Sequence, residues 1–406
     1  MLQIVPGGVT AAPGFTAAGL HCGIRRNQAK PDLALVLADR DCAAAAVYTT
    51  NRVQAAPIAV TRAHLADGRG RAILANSGCA NACAPGGLEN ARRVCAAAAA
   101  VLGLRETDII VNSTGVIGVP LPVEAIESAL PALADALSRA GGADAALAIM
   151  TTDTRPKEAA VTTEIDGRTV TVGGMAKGSG MIHPNMATML AFLTTDCAIA
   201  PGPLRAALAD SARRTYNRVS VDGDTSTNDM TAILASGAAG HPPIESPDDP
   251  RFALFKEALD AVNLTLARAI ARDGEGATRL VVCRVRGAGS ETDAEVLAKA
   301  VITSSLVKTA LFGADANWGR VLCALGYAGA PLRPESVDVA FSSTAGRVVV
   351  CRGGEGLPFD ETLAKEILSQ SEVTLEVDCG AGAHGAEAYG CDLSYDYVRI
   401  NGDYRT

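Results

Sequence analysis

The sequence predicts a layered α/β protein of two lobes, with helices packed over mixed β-sheets. Three observations lead there. Short apolar runs of strand length alternate along the chain with longer Ala/Leu-rich stretches of helical composition. At 406 residues the chain exceeds what one compact core usually organises, so two packed lobes are expected. Its residues are 48% hydrophobic but only 4% aromatic, so the apolar mass is mostly Ala, Val and Leu, which suits closely packed layers.

The elements follow in order. Residues 33–38, 44–49, 72–75 and 109–112 read as short buried strands. Residues 88–102 and 123–140 have helical composition, the second with Pro122 in a helix-start position. Residues 160–165 and 168–172 flank Asp166-Gly167, a two-residue hairpin signal. A second half repeats the style, with helices at 203–216, 252–271 and 293–300 and strands at 189–194, 280–285, 337–341, 348–351 and 373–377. The stretch 242–250, PPIESPDDP, reads as an exposed loop.

Composition excludes several classes of function. The net charge is −8 and no stretch clusters Lys and Arg as a nucleic-acid surface would, while small-molecule ligands stay open. The eleven cysteines are scattered and form no C-x-x-C pair; Cys79 and Cys83, four apart, lack a second pair at zinc spacing. Reduced thiols in a cytoplasmic protein are the expectation. The opening MLQIVPGGVTAAPGF has neither a basic start nor an apolar core, so no secretory signal is expected. Apolar runs such as 95–104 are too short to cross a bilayer.

The chemistry concentrates in residues 173–190, GGMAKGSGMIHPNMATML. Four glycines give this stretch conformational freedom, and Pro184 biases His183 towards extended geometry. Such a segment can hold one peptide bond in a constrained position. A threonine hydroxyl is a weak nucleophile unless a base sits beside it, and the α-amine of an N-terminal threonine is one solution. An unperturbed α-amine has a pKa of about 7.7–8.0, so a useful fraction is neutral near physiological pH. An internal Thr188 reaches that state only if the bond after Ala187 is cut, by attack of its own hydroxyl on the Ala187 carbonyl. Taken alone, the stretch reads better as a glycine loop feeding an ordinary strand than as a cleavage site. Lys177 precedes Gly178-Ser179 rather than following a glycine before Ser/Thr, which rules out the phosphate loop. His183 has no second ligand at metal spacing and reads as structural. Asp222-Gly223-Asp224 reads as a turn rather than a metal or phosphoryl site.

A series of blocks decides between these readings. They include Gly14-Phe15 with Gly19, Asn76-Ser77-Gly78, Asn112-Ser113-Thr114-Gly115, Thr151-Thr152-Asp153-Thr154 and the run from Lys177 to Leu190. They continue through Ser220 to Asp229, Gly313 to Arg320, Cys391 to Asn401 and the closing Tyr404-Arg405-Thr406. In these blocks the whole chain resembles the ornithine acetyltransferase family, also called glutamate N-acetyltransferase. The resemblance implies an N-acyltransferase of arginine biosynthesis, moving an acetyl group from N2-acetyl-L-ornithine to L-glutamate. It implies self-cleavage at Ala187-Thr188 into an α chain, residues 1–187, and a β chain, residues 188–406, that stay intertwined. Thr188 would be the nucleophile, and Thr114 and Gly115 the oxyanion hole. Thr151, Lys177, Thr188, Glu275, Asn401 and Thr406 would contact substrate, Lys177 meeting an α-carboxylate and Glu275 an ammonium group. No metal or bound organic cofactor is implied. Some members also acetylate glutamate from acetyl-CoA, a candidate co-substrate here. A cytoplasmic heterotetramer of two α and two β chains is expected, without nucleic-acid or membrane partners. The alternative is an amidohydrolase or aminopeptidase that passes the acyl group from the same threonine to water.

Overall fold

The computed structural model describes residues 2–183 and 189–403. In chain order its strands are β1 (Gln3–Val5), β2 (Phe15–Leu20), β3 (Leu33–Tyr48), β4 (Arg69–Cys79), β5 (Ile109–Val116), β6 (Lys157–Ile165), β7 (Arg168–Lys177), β8 (Leu190–Thr195), β9 (Val219–Ser220) and β10 (Met230–Ala235). They continue with β11 (Leu280–Ala288), β12 (Asp338–Ser343), β13 (Gly346–Arg352), β14 (Glu355–Gly356), β15 (Glu372–Asp378) and β16 (His384–Cys391). The helices are α1 (Ala56–His64), α2 (Gly87–Leu102), α3 (Val123–Asp135), α4 (Gly142–Ala148), α5 (Pro201–Arg214), α6 (Pro250–Arg272), α7 (Glu291–Thr303), α8 (Ser305–Phe312), α9 (Trp318–Gly326), α10 (Glu361–Leu368) and α11 (Tyr395–Asp403).

Two mixed sheets define the two lobes. The first runs β1-β6-β7-β8-β10-β3-β4-β5, with β2 also on β3; the second runs β14-β13-β12-β15-β11-β16-β9. The first sheet draws its centre from both sides of residues 187 and 188. β8 pairs antiparallel with β7 and parallel with β10, and β10 pairs antiparallel with β3. Strands from after 188 therefore stand between strands from before 187.

Alternation along these strands builds the layers. Val172, Ala191, Leu193 and Ile233 on one face of the first sheet pack with Val262, Leu266 and Ile270 of α6. Leu280, Val282, Tyr389 and Cys391 of the second sheet close the same core from the other side. On the opposite face of the first sheet Met175, Leu190, Phe192 and Ala232 meet Phe15, Ala145 and Ile149. A separate core beneath the second sheet joins Val281, Cys283 and Val285 to Leu297 and Val301 of α7. At about 25 cal/mol per Å² of apolar surface, such burial is the main favourable term holding the lobes together. Among the described residues, no helix is long and apolar enough to cross a membrane.

Two of the expected boundaries that differ have a clear physical cause. Residues 33–38 and 44–49 belong to one strand, β3, whose partner register on β4 shifts between Leu37 and Cys42. The helix expected over 123–140 ends at Asp135, because Ser138 exchanges backbone hydrogen bonds with Ala17, at 3.0 and 3.1 Å. Pairing with β2 there overrides helical propensity. The loop expected over 242–250 runs only to Asp249 and buries Ile244; Pro250 begins α6, which Asp249 caps by accepting from the Arg251 N–H at 2.9 Å.

Candidate active site

Thr114 and Gly115 lie at the end of β5, beside the end of β4, with which β5 runs parallel. Gly115 has φ +130°, and a Cβ there would fall on the Gly78 carbonyl carbon and within 2.7 Å of the Cys79 nitrogen. Only glycine fits. A buried amide network fixes this strand end. Ser113 Oγ donates to Asn76 Oδ1 at 2.6 Å, and Asn112 Nδ2 donates to the Asn228 carbonyl at 3.0 Å. Asn228 Nδ2 donates back to the Ser113 carbonyl at 2.8 Å and to the Ala80 carbonyl at 2.6 Å. Two residues further on, the Met230 N–H donates to the Met189 carbonyl at 3.0 Å. The Thr114 strand end is thus connected by short bonds to the residue that follows Thr188 in sequence.

Ala187, Thr188 and Thr406 lie outside the described residues; what flanks the first two is described. The Thr225 hydroxyl donates to the His183 carbonyl at 2.8 Å, and His183 Nδ1 stands 3.1 Å from Ser220 Oγ. Burial, with Lys299 adding to it and Asp224 opposing, pushes the His183 pKa down to about 4. The Asp222 carboxylate accepts from the N–H groups of Met181 at 2.6 Å, Ile182 at 2.8 Å and Asp224 at 3.2 Å. Asp222 therefore caps a turn, in keeping with its Asp-Gly-Asp sequence, and holds the chain just before the segment of interest. On the other side Met189 is buried and Leu190 begins β8.

Lys177 ends β7 directly opposite Leu190. It is buried; burial pushes its ammonium pKa down, Asp153 opposes this, Lys157 adds to it, and Asp229 and Glu275 oppose it. Burial would raise the Asp153 carboxyl, but Lys177 and Lys157 hold it well below the usual carboxylate range. Asp229 is buried beside the same cluster, and burial drives its pKa well up against the Ser226 hydroxyl and Lys177. Its Oδ2 has no hydrogen-bond partner among the described residues.

Glu275 is also buried, and its backbone N–H donates to the Ser179 carbonyl at 3.0 Å. Its carboxylate lies over Gly180, where a Cβ would strike it. Asn401 Nδ2 donates to Glu275 Oε2 at 2.8 Å, so α11 is tied over this end of the cluster. Thr151 lies on the wall of a cavity of about 480 Å³ that also has Gly78, Gly115, Arg25 and Arg26 on its walls. Asn401 thus meets Glu275, and Asp153 links Thr151 to the turn after Lys177 by accepting from the Thr151 and Gly178 N–H groups.

Sequence reasoning missed Asn228, Asp229, Lys157, Asp273 and the Arg25–Arg26 wall. Asn228 and Asp229 belong to the family-like block Ser220 to Asp229, yet nothing in their spacing shows that they pack against β5 and Lys177. Chemically, the arrangement offers hydrogen-bond donors at a strand end, a buried ammonium and a buried carboxylate. That suits acyl transfer on a small zwitterion. Among the described residues no three His, Cys, Asp or Glu side chains are grouped to hold a metal ion.

The ArgJ family matches residues 16–406. The arginine biosynthesis bifunctional protein ArgJ of Symbiobacterium thermophilum is 53% identical, over 100% of both chains. That of Caldanaerobacter subterraneus subsp. tengcongensis is 48% identical, again over 100% of both. Among solved structures, the crystal structure of the arginine biosynthesis bifunctional protein ArgJ from Bacillus halodurans is 43% identical with a TM-score of 0.50. It covers 52% of this chain and 98% of its own. Fold, site and relatives define an N-acyltransferase, a bifunctional acetyltransferase of arginine biosynthesis. The chain belongs to the ArgJ family, the ornithine acetyltransferases.

Proposed function

We propose that the protein cuts itself between Ala187 and Thr188 and then carries acetyl groups on Thr188, from N2-acetyl-L-ornithine to L-glutamate. The observation that carries this reading is the short path from Thr114 to Met189, through Asn228 and Met230. That path joins the strand end carrying the candidate oxyanion donors to Met189, the residue that follows the candidate nucleophile in sequence. The freed α-amine takes the Thr188 hydroxyl proton as the oxygen attacks the acetyl carbonyl. The Thr114 hydroxyl and Gly115 N–H donate to the oxyanion, an effect worth about 2.7–4 kcal/mol per donor. The C–N bond breaks, the ornithine amine takes the proton, and an acetyl ester remains. Glutamate then enters, and its neutral amine displaces Thr188 and restores the hydroxyl.

Lys177 meets the shared α-carboxylate, and Glu275, with Asn401, meets an ammonium. Thr151 and Thr406 complete the substrate contacts. The relatives' names call them bifunctional, and the second activity is assigned here to acetylation of glutamate from acetyl-CoA, with no metal or resident cofactor. The mixed parentage of the first sheet supports α and β chains that stay intertwined after the cut. The Bacillus halodurans chain, which spans about half of this one, supports two separate chains as the final form. Two such pairs would form a cytoplasmic heterotetramer. Intact mass under denaturing conditions and N-terminal sequencing test the cut, with a second chain beginning Thr-Met-Leu-Ala-Phe expected. Acetyl transfer from N-acetylornithine that requires glutamate tests the reaction; glutamate-independent release of acetate would instead favour the hydrolase.

A further inference from the structure

Three separate segments carry the proposed substrate contacts Thr151, Lys177 and Glu275: 151–154 before β6, 177–180 from the last residue of β7 and 273–276 after α6. They are joined around one side chain, that of Lys157, through Asp153 and Asp273. Lys157 Nζ donates at 2.6 Å to Asp153 Oδ1 and at 2.6 Å to Asp273 Oδ2. Asp153 accepts in addition from the N–H groups of Thr151 at 3.0 Å and Gly178 at 2.7 Å. Asp273 accepts from the Thr154 N–H at 3.0 Å and from the Thr154 hydroxyl, and its carbonyl accepts from Ser179 Oγ at 2.7 Å. The three charged side chains are at most 2% exposed.

We propose that Lys157 is the positioning residue of the amino-acid pocket, a buried cation that clamps these three segments in one relative arrangement. This rests on reading Thr151, Lys177 and Glu275 as the substrate contacts. The physical case turns on direction. Apolar packing can hold a core as firmly as a buried ion pair does, so the clamp's part is orientation rather than stability. Here each carboxylate takes the ammonium and the backbone of a different segment, so every bond sets an angle as well as a distance. Arg155, whose Nε is 3.8 Å from Asp273 Oδ1, is 62% exposed and is no substitute for the buried clamp. Lys157 touches no proposed substrate contact directly. It acts through Asp153, which sits between Thr151 and the Lys177–Gly178 turn, and through Asp273, two residues before Glu275.

The test uses the full chain and three variants: Lys157→Arg, Asp273→Asn and the double variant Lys157→Met with Asp273→Asn, which leaves no unpaired carboxylate at 273. Active enzyme is counted by the burst of label taken from N-acetylornithine. In Asp273→Asn and the double variant, KM for both amino-acid substrates should rise tenfold or more while kcat falls less than threefold. Lys157→Arg should keep KM within threefold of wild type. Unchanged KM in the folded variants, or loss confined to kcat, overturns the proposal. Should the double variant fail to fold, the near-isosteric Asp273→Asn decides the matter by the same criteria. Wild-type protein that transfers no acetyl group from N-acetylornithine would instead sink the proposed function. The clamp is then read by hydrogen exchange in Asp273→Asn. Protection lost together in 151–154, 177–180 and 273–276 supports it, and loss in 273–276 alone overturns it.

Discussion

Gly115 rests its α-carbon against the backbone of Gly78, where a Cβ would come within 2.8 Å of the Gly78 Cα. Two parallel strand ends approach this closely because neither carries a side chain at that point. Gly115→Ala should therefore cost roughly 1–3 kcal/mol for the disfavoured φ and a further 1–3 kcal/mol for overpacking. Because the strand end must shift, kcat should also fall by about 10²–10³, as for a lost oxyanion donor. Gly118→Ala is the control: φ is +86° but nothing lies within 4 Å of its added Cβ. It should lower the melting temperature slightly and leave kcat alone. Equal kinetics in the two variants would detach Gly115 from the chemistry.

Thr188→Ala should run as a single chain of 41.4 kDa and transfer no acetyl group. Thr188→Ser keeps a hydroxyl and should still cleave and transfer. Denaturing mass spectrometry reads the first outcome and a labelled-acetyl assay the second. Two fragments from Thr188→Ala would falsify the self-cleavage chemistry.

His183 gives a dependence of stability on pH. Its folded pKa, about 4, lies below the ordinary 6.5, chiefly through burial. The folded state therefore binds fewer protons than the unfolded state between these values. Its contribution is fully present above about pH 6.5 and is lost as pH falls through 4. Thermal melts of wild type should lose stability across this window more steeply than those of His183→Gln. Parallel curves would mean that the imidazole is not held neutral at its place beside Ser220.

Local signals were legible in the sequence. The Asp166-Gly167 turn joins β6 to β7 with both residues at positive φ, 51° and 70°, as a two-residue hairpin requires. The buried runs at 72–75 and 109–112 are cores of β4 and β5. What stayed hidden depended on distant partners. The charged run Asp39-Arg40-Asp41 interrupts the apolar pattern, yet β3 carries it across as an exposed stretch between two pairings. β10 and β16 were missed, the first a short run, MTAILA, broken by Thr231 and the second rich in Ala and Gly. Each is a strand because of its neighbours on either side. Lys177 and Glu275 were legible only through resemblance. The charges that surround them come from 153, 157, 229 and 273, and no periodicity links such positions.

Asp229 separates charge from shape in the same cluster. Its carboxyl is buried next to Thr49, Ser226 and Lys177, and burial drives its pKa well above the ordinary 3.8. A carboxyl raised on folding prefers the protonated form in the folded state, so it costs stability as pH rises above about 4. Asparagine keeps the shape and removes that cost. Asp229→Asn should therefore melt at or above the wild-type temperature at pH 7, with the advantage shrinking towards pH 4. Asp229→Ala, which leaves a hole and takes away the carboxyl beside the Ser226 hydroxyl, should lose about 2–4 kcal/mol. Differential scanning calorimetry from pH 4 to 8 decides it. A large loss at pH 7 in Asp229→Asn would show that the carboxylate is charged and that its attraction to Lys177 outweighs burial.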